Sequence, residues 1–189
     1  MFVHIVPPPV RLLIAGSGID TLPVISCAQM LGWQTTLLVH PDEIFDREQF
    51  RRADEIVIAY PKESEITTDA QTAAMIMMHN YGRDLAWFRT FLPMPLLYIG
   101  LLGPKGRREK LRADLAEHRL ELSHISLAHL YNPAGLDLGA ESPEEIALSI
   151  TAEIKMVLSC CGGGSLRSRK GSIHDLRVEA GRQSETVAA

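Results

Sequence analysis

The sequence predicts an α/β fold built on a doubly wound, mostly parallel sheet with helices on both faces, and three observations carry that prediction. Apolar runs of strand length alternate with helical patterns from Leu12 to about Leu158, the signature of repeated βαβ units. The runs LLIA, TTLLV, IVIA, AAMIMM and LLYIGLL lack polar alternation, as expected of strands buried on both faces. Gly16 and Gly18 then stand where the first strand turns into the first helix, a G-x-G of the dinucleotide-fold type. The arrangement is Rossmann-like.

Strands are expected near Leu12–Ala15, Thr35–Val39, Glu55–Ala59, Ala73–Met78 and Leu96–Leu101, with a short sixth near His129–Tyr131. Helices are expected at Thr21–Leu31, Arg83–Phe91, Lys105–His118 and Pro143–Leu158, with a short piece near Asp46–Arg51. The last long helix has the clearest start. Ser142 caps the free N–H groups, Pro143 suits the first turn, Glu145 completes an S-x-x-E box, and Glu144 favours the positive end of the dipole. Ile146, Ile150, Ile154 and Val157 then form one apolar stripe.

At 189 residues the chain is long enough for one well-packed domain. The expected division is a proline-rich lead-in over 1–9, a domain over 10–160, and a flexible tail over 161–189 where small and charged residues replace large apolar ones. A net charge of −4 argues against bulk electrostatic binding to nucleic acid, so any basic site is local. The N-terminus lacks a cationic n-region and a cleavage site, and the apolar run Phe91 to Gly103 is too short for a membrane span and contains Pro93 and Pro95. A cytoplasmic protein is expected. Cys27, Cys160 and Cys161 form neither a disulfide framework nor a zinc pattern; Cys27 reads as a small core residue, and the adjacent pair as a helix end running into Gly162.

The stretch YIGLLGPKGRR, Tyr98 to Arg108, concentrates the chemistry. An apolar strand runs through a Gly-Pro turn into a cationic helix start, so backbone N–H groups, the glycines Gly100, Gly103 and Gly106, and the charges of Lys105, Arg107 and Arg108 suit a phosphate-bearing small molecule. The plainer reading is a tight turn with a solvated cationic face. At the G-x-G, Gly16, Ser17 and Gly18 would admit a phosphate to the backbone amides, but no third glycine follows, and Asp20 stands there as a helix cap that repels pyrophosphate. The second strand ends at Val39-His40-Pro41-Asp42, where a ribose-binding acid belongs; Asp42 reaching back, and Arg47, Arg51 and Arg52 meeting a phosphate, are the substitutes. His79 and Asn80 follow the fourth strand and Asp137 the sixth. Each has a bland reading as a turn residue, and their shared sheet edge favours a ligand site. Neither a Ser-His-Asp frame nor H-E-x-x-H occurs, so no catalytic residue and no resident metal are expected.

The segments LLIAGSGID, MMHNYGRDL, YIGLLGPKGRR and YNPAGLDLGAESPEEIALSITAEI, in this order, resemble the C-terminal, Rossmann-like domain of the xanthine dehydrogenase accessory family, XdhC/CoxI. The resemblance spans about Pro8 to Leu158, and the block after Tyr131 is its most specific part. It implies a non-catalytic maturation factor that binds the molybdenum cofactor, molybdopterin, shields its sulfurated form, and assists insertion into a xanthine dehydrogenase-like molybdoenzyme. On that reading Lys105, Arg107 and Arg108 meet the cofactor phosphate, while His79, Asn80 and Asp137 meet the pterin. Family members usually carry a further N-terminal domain with a cysteine motif, to which nothing in this chain corresponds. They tend to have D-P-R where His40-Pro41-Asp42 stands here, which weakens a nucleotide role.

Two other functions fit parts of the sequence. The glycine turn and parallel-sheet pattern suit an NAD(P)-dependent oxidoreductase, and a ligand-free interaction or homodimerisation module would need neither. Cys160 and Cys161 also admit a sulfur relay from a cysteine desulfurase, against which stands the scarcity of nearby cations beyond Arg167 and Arg169.

Overall fold

A computed structural model describes residues 8–117 and 128–169. Six strands, β1 (Arg11–Ala15), β2 (Gln34–Val39), β3 (Glu55–Ile58), β4 (Thr72–Ile76), β5 (Tyr98–Leu101) and β6 (Leu130–Tyr131), form one sheet in the order β3-β2-β1-β4-β5-β6. Every pairing is parallel; Ile14, for example, sits between Leu37 and Met75. This is the doubly wound, Rossmann-like sheet that the apolar runs predict.

The period-2 geometry of a strand divides each run between two cores. Leu12 and Ile14 face one cluster and Leu13 and Ala15 the other, so neither face has polar positions to spare. Helices α1 (Thr21–Met30) and α4 (Pro143–Leu158) cover the first face through Val24, Ile25, Ala28, Ala147, Ile150 and Ile154. Helices α2 (Tyr81–Phe91) and α3 (Gly106–Glu117) cover the second through Trp87, Phe88, Phe91 and Leu111. The capping box of α4 forms as its sequence dictates: the Ser142 side chain accepts from the Glu145 amide, and the Glu145 carboxylate accepts from the Ser142 amide.

Several expectations change. Asp46–Arg51 is not a helix but a series of turns, with the amides of Gln49, Phe50 and Arg51 donating three residues back. The segment is too short to nucleate a helix on its own, and Phe45 and Phe50 tie it to the first core. β5 starts at Tyr98 rather than Leu96, because Pro95 donates nothing and the Leu96 amide turns back to the Met94 carbonyl. α2 starts at Tyr81, earlier than its apolar pattern suggests, because Asn80 is a working N-cap that accepts from the Arg83 amide at 3.1 Å. Beyond α4 a short 3-10 turn, Leu166–Ser168, is formed. The rest of the expected tail, 170–189, and most of the lead-in lie outside the described residues. Among the described residues no helix is long and apolar enough to cross a membrane.

Candidate functional site

β1 stands between β2 and β4, so the chain leaves in opposite directions on its two sides and the strand order reverses there. Loops at the carboxyl ends of neighbouring strands diverge at such a point and leave a crevice. The turn after β1 forms its floor. Gly16 has φ +133°, and a β-carbon there would collide with the Met77 carbonyl oxygen, so only glycine lets β1 and β4 run this close. Gly18 is crowded by side chains rather than backbone: a β-carbon would lie 2.6 Å from Asp20 Oδ1 and 3.1 Å from His79 Nε2.

The hydroxyl of Ser17 donates to Glu43 Oε2 at 2.6 Å, and Arg83 Nη1 donates to Glu43 Oε1 at 2.8 Å. The Glu43 side chain is 15% exposed and that of Arg83 29%. Asp20, expected to cap α1, makes no capping hydrogen bond. Its Oδ2 lies 2.9 Å from His79 Nε2, and the Thr21 hydroxyl donates to the Gly18 carbonyl instead. Asp20 Oδ1 is buried and accepts no hydrogen bond. His79 has φ +53°, a conformation that costs a non-glycine residue of order 1–3 kcal/mol and is held here by the β4–α2 turn.

The cationic turn after β5 is organised differently from its sequence reading. Gly103, at φ +132°, leaves room for Arg107 to fold back, where a β-carbon would lie 2.9 Å from its Nη1. The guanidinium donates to the Leu102 carbonyl at 2.9 Å and sets Nη2 2.7 Å from Asp84 Oδ2. The latter is a close ion pair rather than a well-aligned hydrogen bond. Asp84 is 1% exposed and accepts from the Met78 amide through Oδ1. Burial raises its pKa; Arg107 and the Met78 amide pull it back only in part. Arg107 therefore braces the site from inside, while Lys105 is exposed and Arg108 half-buried at the rim.

Asn132 ties this turn to the end of β6. Its Nδ2 donates to the carbonyls of Leu101 and Gly103, both at 3.1 Å, and its Oδ1 accepts from the Arg108 amide; the Asn132–Pro133 peptide bond is cis. Deeper, Glu153 of α4 accepts from the Tyr98 hydroxyl at 2.7 Å and the Gly135 amide at 2.8 Å, and Tyr98 stacks on Tyr131 with ring centroids 4.5 Å apart. Burial, reinforced by the Glu153 charge, pushes the Tyr98 phenol well above its ordinary value.

The structure thus brings Gly16, Ser17, Gly18, His79 and Asn80 together, with the turn carrying Gly103, Lys105, Arg107 and Arg108 tied to them through Asp84. Gly100 lies inside β5, where a β-carbon would strike Met75 and Tyr98, so it serves packing. Asp137 is exposed on the β6–α4 loop, and its side chain forms no hydrogen bond or ion pair among the described residues. Asp42 lies against His40 Nδ1 at 3.6 Å, Arg51 pairs with Glu48 and Arg52 bonds Ser26, so these arginines do not gather on a shared anion. His40, Tyr60, Lys62, Arg89 and Thr90 line a neighbouring open cleft of about 590 Å³. Cys27 is half-buried, with its thiol pushed up by burial, and Cys160 and Cys161 are free thiols at the end of α4. Among the described residues no cluster of three His, Cys, Asp or Glu side chains could hold a metal ion.

Sequence reasoning missed Glu43, Arg83, Asp84 and Asn132. Arg83 gave the best available signal, a cation in a helix's first turn, where the dipole disfavours it unless an anion is near.

Sheet order, switch point and glycine turn define a Rossmann-type domain. The chain belongs to the XdhC Rossmann domain family, whose model matches residues 12–154. It is 33% identical over 156 residues to a probable xanthine dehydrogenase component of Bacillus subtilis, covering 82% of this chain and 44% of that protein. It is 26% identical over 173 residues to the uncharacterised protein YqeB of Escherichia coli, covering 90% of this chain and 32% of that one. The crystal structure of a xanthine dehydrogenase from Bacillus halodurans superimposes with a TM-score of 0.66 at 30% identity, covering 89% of this chain and 46% of that one. The chain spans less than half the length of each of these relatives.

Proposed function

We propose that this domain is the cofactor-holding part of an accessory factor for a xanthine dehydrogenase-like molybdoenzyme, and that it binds molybdopterin across the crevice at the switch point. One observation carries the reading: the first and fourth strand turns meet there, with exposed His79 and Asn80 beside the Gly16–Gly18 backbone and the Lys105–Arg108 turn braced alongside. The donor set fits the group. Lys105 and Arg108 have no ion-pair partner among the described residues and would meet the phosphate. Asp20 Oδ1, a buried acceptor with no donor, suits an N–H of the pterin, a ring rich in such donors. When bound, the cofactor would supply the molybdenum chemistry to its target enzyme; the side chains here hold and orient it.

The similarity to proteins named as xanthine dehydrogenase components supports a molybdoenzyme partner. Docking of a cysteine desulfurase and sulfur transfer through Cys160 or Cys161 belong to the same proposal only as extensions, as does homodimerisation. The oxidoreductase alternative is disfavoured by the glycine turn, which lacks a third glycine and carries Asp20, and by His40 where a ribose-binding acid belongs. Anaerobic titration with molybdenum cofactor, and separately with NAD and NADP, tests the choice. Cofactor binding that weakens at least tenfold in Lys105→Ala/Arg108→Ala is expected; nucleotide binding with no cofactor binding overturns the proposal.

A further inference from the structure

We infer that Ser17 and Arg83 form a second anion seat in the crevice, separate from the Lys105–Arg108 turn, and that Glu43 of the same chain occupies it until a phosphate-bearing ligand displaces the carboxylate. Two donors from different strand turns converge on one carboxylate, Ser17 Oγ at 2.6 Å and Arg83 Nη1 at 2.8 Å. Arg83 sits in the first turn of α2, beside Asn80, where the helix's positive end repels a cation. Its placement there needs an anion, and the chain supplies one from a distance of 40 residues in sequence.

The turn itself offers more donors than Glu43 uses. None of the described residues accepts from the backbone N–H of Ser17, Gly18 or Ile19. A carboxylate has two oxygens, and both are taken up by Ser17 and Arg83; a phosphate brings a third oxygen and more charge, which the free amides would receive. The other polar side chains beside the seat are Asp20 and His79, whose Oδ2 and Nε2 lie 2.9 Å apart.

Glu43 is also suited to leave. It lies in the β2–β3 crossover, which has turns but no helix, and the next residue, Ile44, is fully exposed, so the apolar anchoring of this loop begins only at Phe45. Exchange of Glu43 for a ligand phosphate breaks two charge-assisted hydrogen bonds and makes at least two. The Glu43 carboxylate then returns to water, where exposed charges are well solvated. Affinity is thereby lowered for weak anions and kept for ligands that also engage the rest of the crevice.

Isothermal titration at constant ionic strength, with inorganic phosphate and with AMP as probes, tests this, thermal melts confirming that each variant is folded. Glu43→Gln removes the competing charge while keeping the hydrogen-bonding shape. It is expected to tighten both probes at least tenfold, more for AMP if a phosphate on a larger ligand is the preferred source and equally for the two if free phosphate suffices. Arg83→Met added to Glu43→Gln abolishes the gain, whereas Lys105→Ala/Arg108→Ala added to it does not. Unchanged affinity in Glu43→Gln, a gain that survives Arg83→Met, or a gain lost with the Lys105 and Arg108 changes overturns the inference. The cofactor titration is separate: a chain that never binds molybdenum cofactor yet shows the Arg83-dependent gain loses the proposed function and keeps this seat.

Discussion

Replacing Arg107 by methionine isolates what that residue does, since methionine keeps much of the aliphatic stem and removes the charge. In the wild type Arg107 Nη2 lies 2.7 Å from Asp84 Oδ2, and Asp84 is 1% exposed. Stranding a buried charge by removing its partner costs about 3–5 kcal/mol. The Arg107 side chain is 20% exposed, so water reaches part of the pair, and the carbonyl of Leu102 loses its donor as well. The net expectation is a loss of about 2–3 kcal/mol near neutral pH, or a urea midpoint lowered by about 1–1.5 M for a slope near 2 kcal/mol/M. The pH dependence gives the sharper signature. Burial already holds the Asp84 pKa above its ordinary 3.8, and without Arg107 it rises further. A carboxyl whose folded pKa is raised binds more protons folded than unfolded between the two values, so stability falls as pH rises through that window and recovers in acid. The variant's deficit therefore shrinks as Asp84 protonates, and Asp84→Asn/Arg107→Met recovers most of it at neutral pH. Urea melts across the pH range decide it. A deficit below about 1 kcal/mol at neutral pH, or one that is the same in acid, would show that the pair does not brace the turn.

Gly16→Ala forces a β-carbon against the Met77 carbonyl at φ +133°, and strain plus overlap of about 3 kcal/mol should lower Tm by about 6–12 °C in calorimetry; a change under about 2 °C contradicts the close approach of β1 and β4. Asn132→Ala removes three hydrogen bonds at the 103–108 turn and is expected to cost about 1–3 kcal/mol, with faster hydrogen exchange at the Arg108 amide as the local readout. The Glu145 carboxylate accepts the amides of Ser142 and Glu141, which hold its pKa below the ordinary 4.5. Its contribution is thus complete above that value and is lost as pH falls through the depressed one, so the advantage of wild type over Glu145→Gln in urea melts at neutral pH should vanish in strong acid.

Most of the sheet was legible because the signal was redundant. Leu12 to Ala15 has no polar residue, and only a strand with both faces covered tolerates that, so the run gave the strand, its depth and the layers around it at once. Ser142, Pro143 and Glu145 fixed the start of α4 to the residue because the interactions that cap a helix are local. The 46–51 segment failed for the complementary reason: its local pattern resembled a helix, but Phe45 and Phe50 are held by a core formed from residues distant in sequence. The site was legible as a set of turns and not as a set of contacts. Gly16, Gly18, His79 and Asn80 were recoverable because strand order alone brings the ends of β1 and β4 together. The partners of Arg107 and Arg83 were not, since no spacing rule links position 107 to 84 or position 83 to 43.

That difference explains how the cationic turn divides its work. Three positive residues within four positions read alike in sequence, yet the buried Asp84 captures only Arg107, because Gly103 clears the path for that one side chain. Arg108 stays half-buried at the rim, its amide shared between Asn132 Oδ1 and the Lys105 carbonyl, and Lys105 is exposed ahead of α3. The same logic operates across the crevice, where Arg83 is held by Glu43 while Asn80 and His79 stay exposed at the rim. Each wall thus pairs one internally compensated arginine with exposed groups, but only Arg107 is locked to a buried partner, whereas Arg83 is held by the displaceable Glu43. Neutralising the compensated arginine of the cationic turn should therefore lower stability before it lowers affinity, and neutralising Lys105 and Arg108 should do the reverse.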